Sequence, residues 1–164
     1  MVFSLSVHGA DDEVFLSAKL LEVNSIKAPE IKLSPLKSDK KISIDYQRKM
    51  TLVHFWATWC IACRKEFPQL EQLQQDLGNE DLQIITIAAD SHAATYQYKL
   101  DHHLSLPILV DQYGKALKDF KVKGLPASFL VDGNGHIRYQ AIGMVEWENK
   151  QIRNIIKRMQ ESLL

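Results

Sequence analysis

The alternation of apolar and polar positions changes period several times along these 164 residues, and each change predicts an element. "TLVHFWA" at 51–57 is almost continuously apolar, β-branched or aromatic, the pattern of a strand covered on both faces of a sheet. From Cys60 to about Gly78 the period becomes three or four, with Cys63, Phe67, Leu70, Leu73 and Leu77 on one stripe and Gly78-Asn79 as a stop. That stretch predicts a helix, with Pro68 inside it as a kink. "LQIITIAAD" at 82–90 predicts a second strand, and Ser91 caps a helix running to about Leu104. "PILVD" at 107–111 is a short strand followed by a helix near "GKALKDF". Strands alternating with helices imply parallel βαβ units with right-handed crossovers.

The pattern then changes. "ASFLVDGNGHIRYQAIG" reads as two strands around a "DGNG" turn, which adds an antiparallel pair and makes the sheet mixed. From Val145 onward Ile152, Ile155, Ile156, Met159 and Leu163 share one helical face, and Lys150, Arg153, Lys157 and Arg158 read as its solvated side. Upstream, "APEIKLSPLKSDKKISIDY" suits a hairpin with Ser38-Asp39 in its turn, laid against the domain edge. The expected class is α/β, a mixed central sheet flanked by helices with an N-terminal β-hairpin extension. Residues 1–27 are read as an N-terminal extension and 28–164 as the domain.

Composition narrows the function. A chain that is 46% hydrophobic builds an ordinary core without staples, so its only two cysteines are not needed as scaffolding. Twenty basic and twenty acidic side chains leave no net field for nucleic acid or an acidic membrane, so partners are expected among proteins or small molecules. No apolar run approaches the roughly 18 residues of a membrane span. "MVFSLSVHGADDE" looks like the tail of a secretory signal, with an apolar stretch before Gly9-Ala10, but it lacks a basic start and His8 suits it poorly. A truncated signal and an ordinary terminal strand both fit.

Cys60 and Cys63 sit where a strand gives way to a helix. Two thiols three residues apart on a first helical turn lie roughly 5–6 Å apart, close enough to form a disulfide and reopen. Cys60 at the N-terminus would face unpaired amides and the positive end of the dipole, making it the better thiolate. If its pKa fell from about 8.5 to about 6.5, the thiolate fraction at pH 7 would rise roughly 25-fold. Lower nucleophilicity would cancel roughly 6- to 10-fold of that, so the larger benefit is as a leaving group when Cys63 resolves a mixed disulfide. Other readings are half of a zinc site, for which a second Cys pair and H-x₃₋₅-H spacing are missing, and two buried inert thiols.

"VHFWATWCIACRKEFP", followed some 60 residues later by "GLPASFLVDGNG", resembles the thioredoxin superfamily. More narrowly it is similar to the TlpA/ResA-type extracytoplasmic thiol-disulfide oxidoreductases, from about Ala28 to the C-terminus. The resemblance implies a cis Pro126 against the thiol pair, with Leu125 and Ala127 flanking a surface where an extended peptide pairs through its backbone. Trp59 is expected to border the site and touch substrate, with Trp56 in the core. Glu66 matches the branch's glutamate, a carboxylate that manages protons around the thiols and raises their pKa values; on helical pattern alone it reads as a surface residue.

His54 departs from the pattern, since many thioredoxins carry a buried aspartate there and many TlpA-like proteins an asparagine. It reads either as the base that takes the proton of Cys63 or as a core histidine hydrogen-bonded to backbone. Ile61 and Ala62 between the thiols differ from the pairs usual in the family, which leaves the potential open. His102 and His103 read as the polar end of a helix.

The expected activity is therefore a periplasmic or otherwise extracytoplasmic bacterial protein disulfide reductase cycling Cys60 and Cys63. It would have no cofactor or metal, act as a monomer on protein disulfides, and be re-reduced by a membrane thiol-electron donor. Apocytochrome c is one plausible client. The alternatives are a copper-binding metallochaperone of the same fold, using the thiols with a histidine such as His92 or His103, and a thiol peroxidase.

Overall fold

The computed structural model describes residues 19–78 and 81–162. Twelve elements alternate along them: β1 (Leu21–Lys27), β2 (Lys32–Pro35), β3 (Ile42–Ser43), β4 (Met50–Trp56), α1 (Ile61–Leu77), β5 (Leu82–Ala88), α2 (His92–His102), β6 (Ile108–Val110), α3 (Lys115–Asp119), β7 (Ala127–Val131), β8 (His136–Ile142) and α4 (Lys150–Glu161). The strands form one eight-stranded sheet in the order β1-β8-β7-β4-β5-β6-β2-β3. The β4, β5 and β6 strands run parallel, and every other pairing is antiparallel. This is the expected mixed sheet, and the hairpin read in 28–46 is β2–β3, docked through β2 on the edge strand β6. The leader-or-strand question at residues 1–13 lies outside the described residues, as does Leu163.

The central strand β4 is buried along its whole length because it is covered on both faces. Its even positions Met50, Leu52 and Trp56 join Cys63, Phe67, Leu70 and Leu73 of α1 and Ile156 of α4 in one cluster. Its odd positions Val53 and Phe55 join Ala116 and Phe120 from α3 and its C-terminus, with Phe129 of β7, in another. The period-2 alternation of side chains thus decides which residues of β4 can reach α1. His54 is even-numbered and belongs to the α1 side.

One boundary differs from expectation. The last helix starts at Lys150, with the Asn149 side chain accepting from the Gln151 N–H as its cap, and not at Val145. Val145 and Trp147 instead turn inward and are fully buried against the α1-side cluster. An apolar pair near the start of an amphipathic run continues the helical period by eye, but here it serves the core as loop.

The "DGNG" turn closes β7 on β8 with the Asp132 carboxylate accepting from the Asn134 and His136 amides. Gly135 has φ +77°, and a Cβ there would lie 3.3 Å from Lys27 Nζ and 3.7 Å from Tyr46 Cβ. A left-handed L-residue costs about 1–2 kcal/mol. Gly135→Ala should therefore lower unfolding free energy by roughly that amount in urea titration, with the far-ultraviolet spectrum of the native state unchanged.

Candidate active site

Cys60 ends the loop that leaves β4 and caps α1, with φ −83° and ψ 104°. Its Sγ accepts the Cys63 N–H at 3.2 Å. The two sulfurs form a disulfide, with the Cα atoms 5.3 Å apart. The first turn of α1 carries no acidic side chain, so nothing there opposes an anion at the helix N-terminus. The sulfurs differ in access: Cys60 is 7% exposed and Cys63 fully buried.

The loop before Cys60 is clamped from two sides. Thr58 donates its hydroxyl to Asp90 Oδ2 at 2.5 Å, and its carbonyl accepts from Arg64 Nε and Nη2 at 3.0 and 2.7 Å. The Arg64 guanidinium also lies 5.7 Å over the Tyr98 ring. These contacts hold Trp59 at the surface, 67% exposed next to the disulfide, while Trp56 packs edge-on against Phe67 in the core. Just before the neighbouring strand β7 the Leu125–Pro126 bond is cis. The register pairs Phe55 with Ala127, so Pro126 stands at the C-terminal end of β4, beside the cysteine loop. Its carbonyl accepts from Gly143 N–H at 2.8 Å, Pro126 is buried, and Leu125 is half-buried.

Glu66 is one turn beyond Cys63 and is fully buried, contrary to the surface position its helical pattern alone suggested. The reason is a set of donors from a segment distant in sequence. Oε1 accepts from Val145 N–H and from the Trp147 indole, both at 2.9 Å. The inward loop at 145–147 exists to meet this carboxylate. Burial raises the Glu66 pKa from 4.5 to about 7, against the lowering effect of the two hydrogen bonds. The second oxygen, Oε2, has no hydrogen-bond partner.

His54 Nε2 stands 3.9 Å from Oε2, and it too has no hydrogen-bond partner. Nδ1 lies 2.9 Å from Ser128 Oγ on β7, directly across the register. A serine hydroxyl takes the place of the backbone partner envisaged for a core histidine. Burial lowers the His54 pKa from 6.5 to about 3.

The structure thus brings Cys60, Cys63, Glu66, His54, Trp59 and Pro126 to one end of β4. His92 and His103 stand at opposite ends of α2, and among the described residues no group of three or more His, Cys, Asp or Glu side chains could hold a metal ion. Ser128, Thr58, Arg64, Asp90 and Trp147 were not singled out from sequence. Asn149 as a cap was the one available sign that the residues before it, Trp147 included, are loop. Ser128 could be found only through the β4–β7 register.

Residues 25–140 match the AhpC/TSA family. Among curated proteins, the thiol-disulfide oxidoreductase ResA of Bacillus thuringiensis subsp. konkukian is 27% identical over 146 residues, covering 88% of this chain and 83% of its own length. The sporulation thiol-disulfide oxidoreductase A of Bacillus subtilis is 27% identical over 133 residues, 79% of this chain and 81% of that protein. A crystal structure assigned to the thiol:disulfide interchange protein DsbE of Chlorobium tepidum superposes with a TM-score of 0.76 at 24% identity, covering 87% of this chain and 99% of that one. The fold is thioredoxin-like.

The two buried titrations predict opposing effects on stability. Between pH 4.5 and 7 folded Glu66 holds a proton that the unfolded chain has lost, so its contribution falls as pH rises. Between pH 3 and 6.5 unfolded His54 holds a proton that the folded chain lacks, so its contribution rises with pH. From 4.5 to 6.5 the two cancel, and the oxidised protein should show little dependence from this pair. Glu66→Gln should unmask a rise of about 1.4 kcal/mol per pH unit in that window, and His54→Asn a fall of similar slope, measured by urea unfolding at fixed pH values.

Proposed function

The chain belongs to the AhpC/TSA family and is a thiol-disulfide oxidoreductase, and from that premise we propose that it works as a protein disulfide reductase with Cys60 as the attacking sulfur. The observation that carries this reading is the asymmetry of the pair: Cys60 caps a helix and keeps 7% exposure, and Cys63 is fully buried.

In the proposed cycle the Cys60 thiolate attacks a partner disulfide, forming a mixed disulfide and releasing one partner thiolate. Cys63 loses its proton and attacks Cys60, so the partner leaves reduced and the chain keeps both oxidising equivalents as the Cys60–Cys63 bond. Glu66, with His54 behind it, takes the Cys63 proton. Supporting this are Glu66's place one turn after Cys63 and a pKa that burial holds near neutrality. Trp59, Leu125 and Pro126 form the docking surface, the exposed indole offering a hydrophobic contact and the strand end a backbone edge.

Every turnover leaves a disulfide, so a thiol donor must follow it. We place the protein outside the cytoplasm, as a monomer re-reduced by a membrane thiol-electron donor, with apocytochrome c among its clients. Among the described residues no helix is long and apolar enough to cross a membrane.

Cys63→Ser should hold client proteins as covalent mixed disulfides on Cys60, resolved by non-reducing electrophoresis, and Cys60→Ser should hold none. The isolated protein should show a reduction potential below that of its compartment. An empty trap together with no disulfide exchange in vitro refutes the reading. Peroxide turnover without any protein disulfide substrate would favour a thiol peroxidase, and stoichiometric Cu(I) binding abolished by His92→Ala or His103→Ala a copper carrier.

A further inference from the structure

Two buried polar atoms face each other without partners of their own. His54 Nε2 and Glu66 Oε2 are 3.9 Å apart, roughly 1 Å beyond hydrogen-bond contact, and each lies on a side chain with no exposure to solvent. The far atoms of both side chains are fixed: Glu66 Oε1 by the Val145 amide and the Trp147 indole, His54 Nδ1 by Ser128 Oγ. Neither group can turn its free atom elsewhere without giving up a bond it already has. The free pair therefore stays face to face.

The surroundings supply little competing charge. On β5 the residue in register with His54 is Thr86, whose hydroxyl is spent on the Pro107 carbonyl. On β7 it is Ser128, and the loop after β8 presents an amide and an indole N–H. Phe67 of α1 stands edge-on to the imidazole. Cys63 of α1 shares the buried cluster with Phe67 and is held in the disulfide with Cys60. Asp111, the other buried carboxylate among the described residues, accepts from the Leu117 amide at the head of α3.

We propose that Ser128, His54 and Glu66 form one buried proton relay, in which protonation of Glu66 is coupled to a change of tautomer at His54 and Ser128 is the positioning residue that supports both tautomers. The coupling follows from what each group can donate. With Glu66 ionised, the only proton that can sit between the facing atoms is on Nε2, so Nδ1 is an acceptor and the serine hydroxyl donates to it. With Glu66 protonated on Oε2, its hydrogen faces Nε2, so the ring carries its own hydrogen on Nδ1 and the serine oxygen accepts it. A hydroxyl is the side chain that can fill both roles by rotation.

The two states differ by one proton. From the first state to the second Oε2 gains a hydrogen, the ring's single hydrogen moves from Nε2 to Nδ1, and the serine keeps its own hydrogen and rotates from donor to acceptor. The imidazole stays neutral in both states, in keeping with its burial. This use of the relay rests on the reading that Glu66 and His54 handle the Cys63 proton. Cys63 supplies that proton when its thiol becomes the attacking thiolate, and recovers it when a donor thiol reopens the Cys60–Cys63 bond.

The test is ¹⁵N–¹H long-range correlation of the His54 ring nitrogens in the full chain between pH 5 and 9. Lowering pH through the Glu66 titration, near 7, should move the protonated-nitrogen signature from Nε2 to Nδ1 without an imidazolium signature. Glu66→Gln should leave one tautomer at every pH. Ser128→Ala should remove the exchange or displace its midpoint by at least about one pH unit, a tenfold change in proton affinity, and Ser128→Thr should restore it. One tautomer throughout in the wild type overturns the relay, as does an imidazolium at pH 5. A Ser128→Ala profile matching the wild type removes serine from it, and if that variant fails to fold, the wild-type and Ser128→Thr spectra still decide. Trapping by Cys63→Ser does not involve the relay. A fixed tautomer with clients trapped therefore defeats the relay alone, and an exchanging tautomer with an empty trap defeats the reductase reading alone.

Discussion

A carboxylate enclosed beneath the disulfide sets most of what this structure can do. Taking Glu66 out of water is costly, and the fold meets part of that cost with two N–H donors on one oxygen. Those donors come from the loop that leads into the last helix. One carboxylate thus joins the helix α1 to the loop that leads into α4, and faces the central strand through His54. A buried polar atom left without a partner costs about 1–3 kcal/mol, so replacing Glu66 by an apolar residue would strand the Trp147 indole and the Val145 amide together.

The carboxylate and the helix terminus pull the sulfurs in opposite directions. Backbone amides at the start of α1, one of them 3.2 Å from Cys60 Sγ, favour an anion at the surface sulfur. An ionised Glu66 further along disfavours a second anion at Cys63, and by reciprocity an ionised sulfur holds the Glu66 proton more tightly. The effect is to keep the two sulfurs different. In the proposed cycle this makes Cys60 the better leaving group and Cys63 the sulfur whose deprotonation must be timed.

Much of this was legible in the residue pattern and some was not, for identifiable reasons. The continuous apolar run at 51–57 marks a strand covered on two faces because burial on both sides removes any need for alternation. The cysteine spacing and the Gly-rich turn at 132–135 are local signatures, and local signatures survive folding. Glu66 misleads because helical period alone cannot reveal that a distant loop will cover it. Ser128 is silent for the same kind of reason: its meaning comes from lying across from His54 in the β4–β7 register. Cross-strand neighbours separated by 74 residues carry no sequence signal. The hairpin at 28–46 needed only its own turn and so could be read.

Access decides the order of events. Attack on a disulfide must reach a sulfur along the S–S axis, and only Cys60 offers surface for that approach. In the proposed cycle an incoming thiol therefore bonds to Cys60 and expels Cys63 into a site sealed from solvent, where the departing thiolate meets a proton source or remains an uncompensated buried charge. A carboxyl whose burial holds its proton affinity near neutrality, one helical turn away, is suited to give that proton, and the same group is suited to take it back when Cys63 must attack. A carboxylate with an ordinary pKa near 4 would accept the proton poorly and hold almost none to return at pH 7. In the proposed cycle, burying Glu66 is what lets a sealed sulfur take part in reversible exchange, and the inward loop at 145–147 is what holds the acid there.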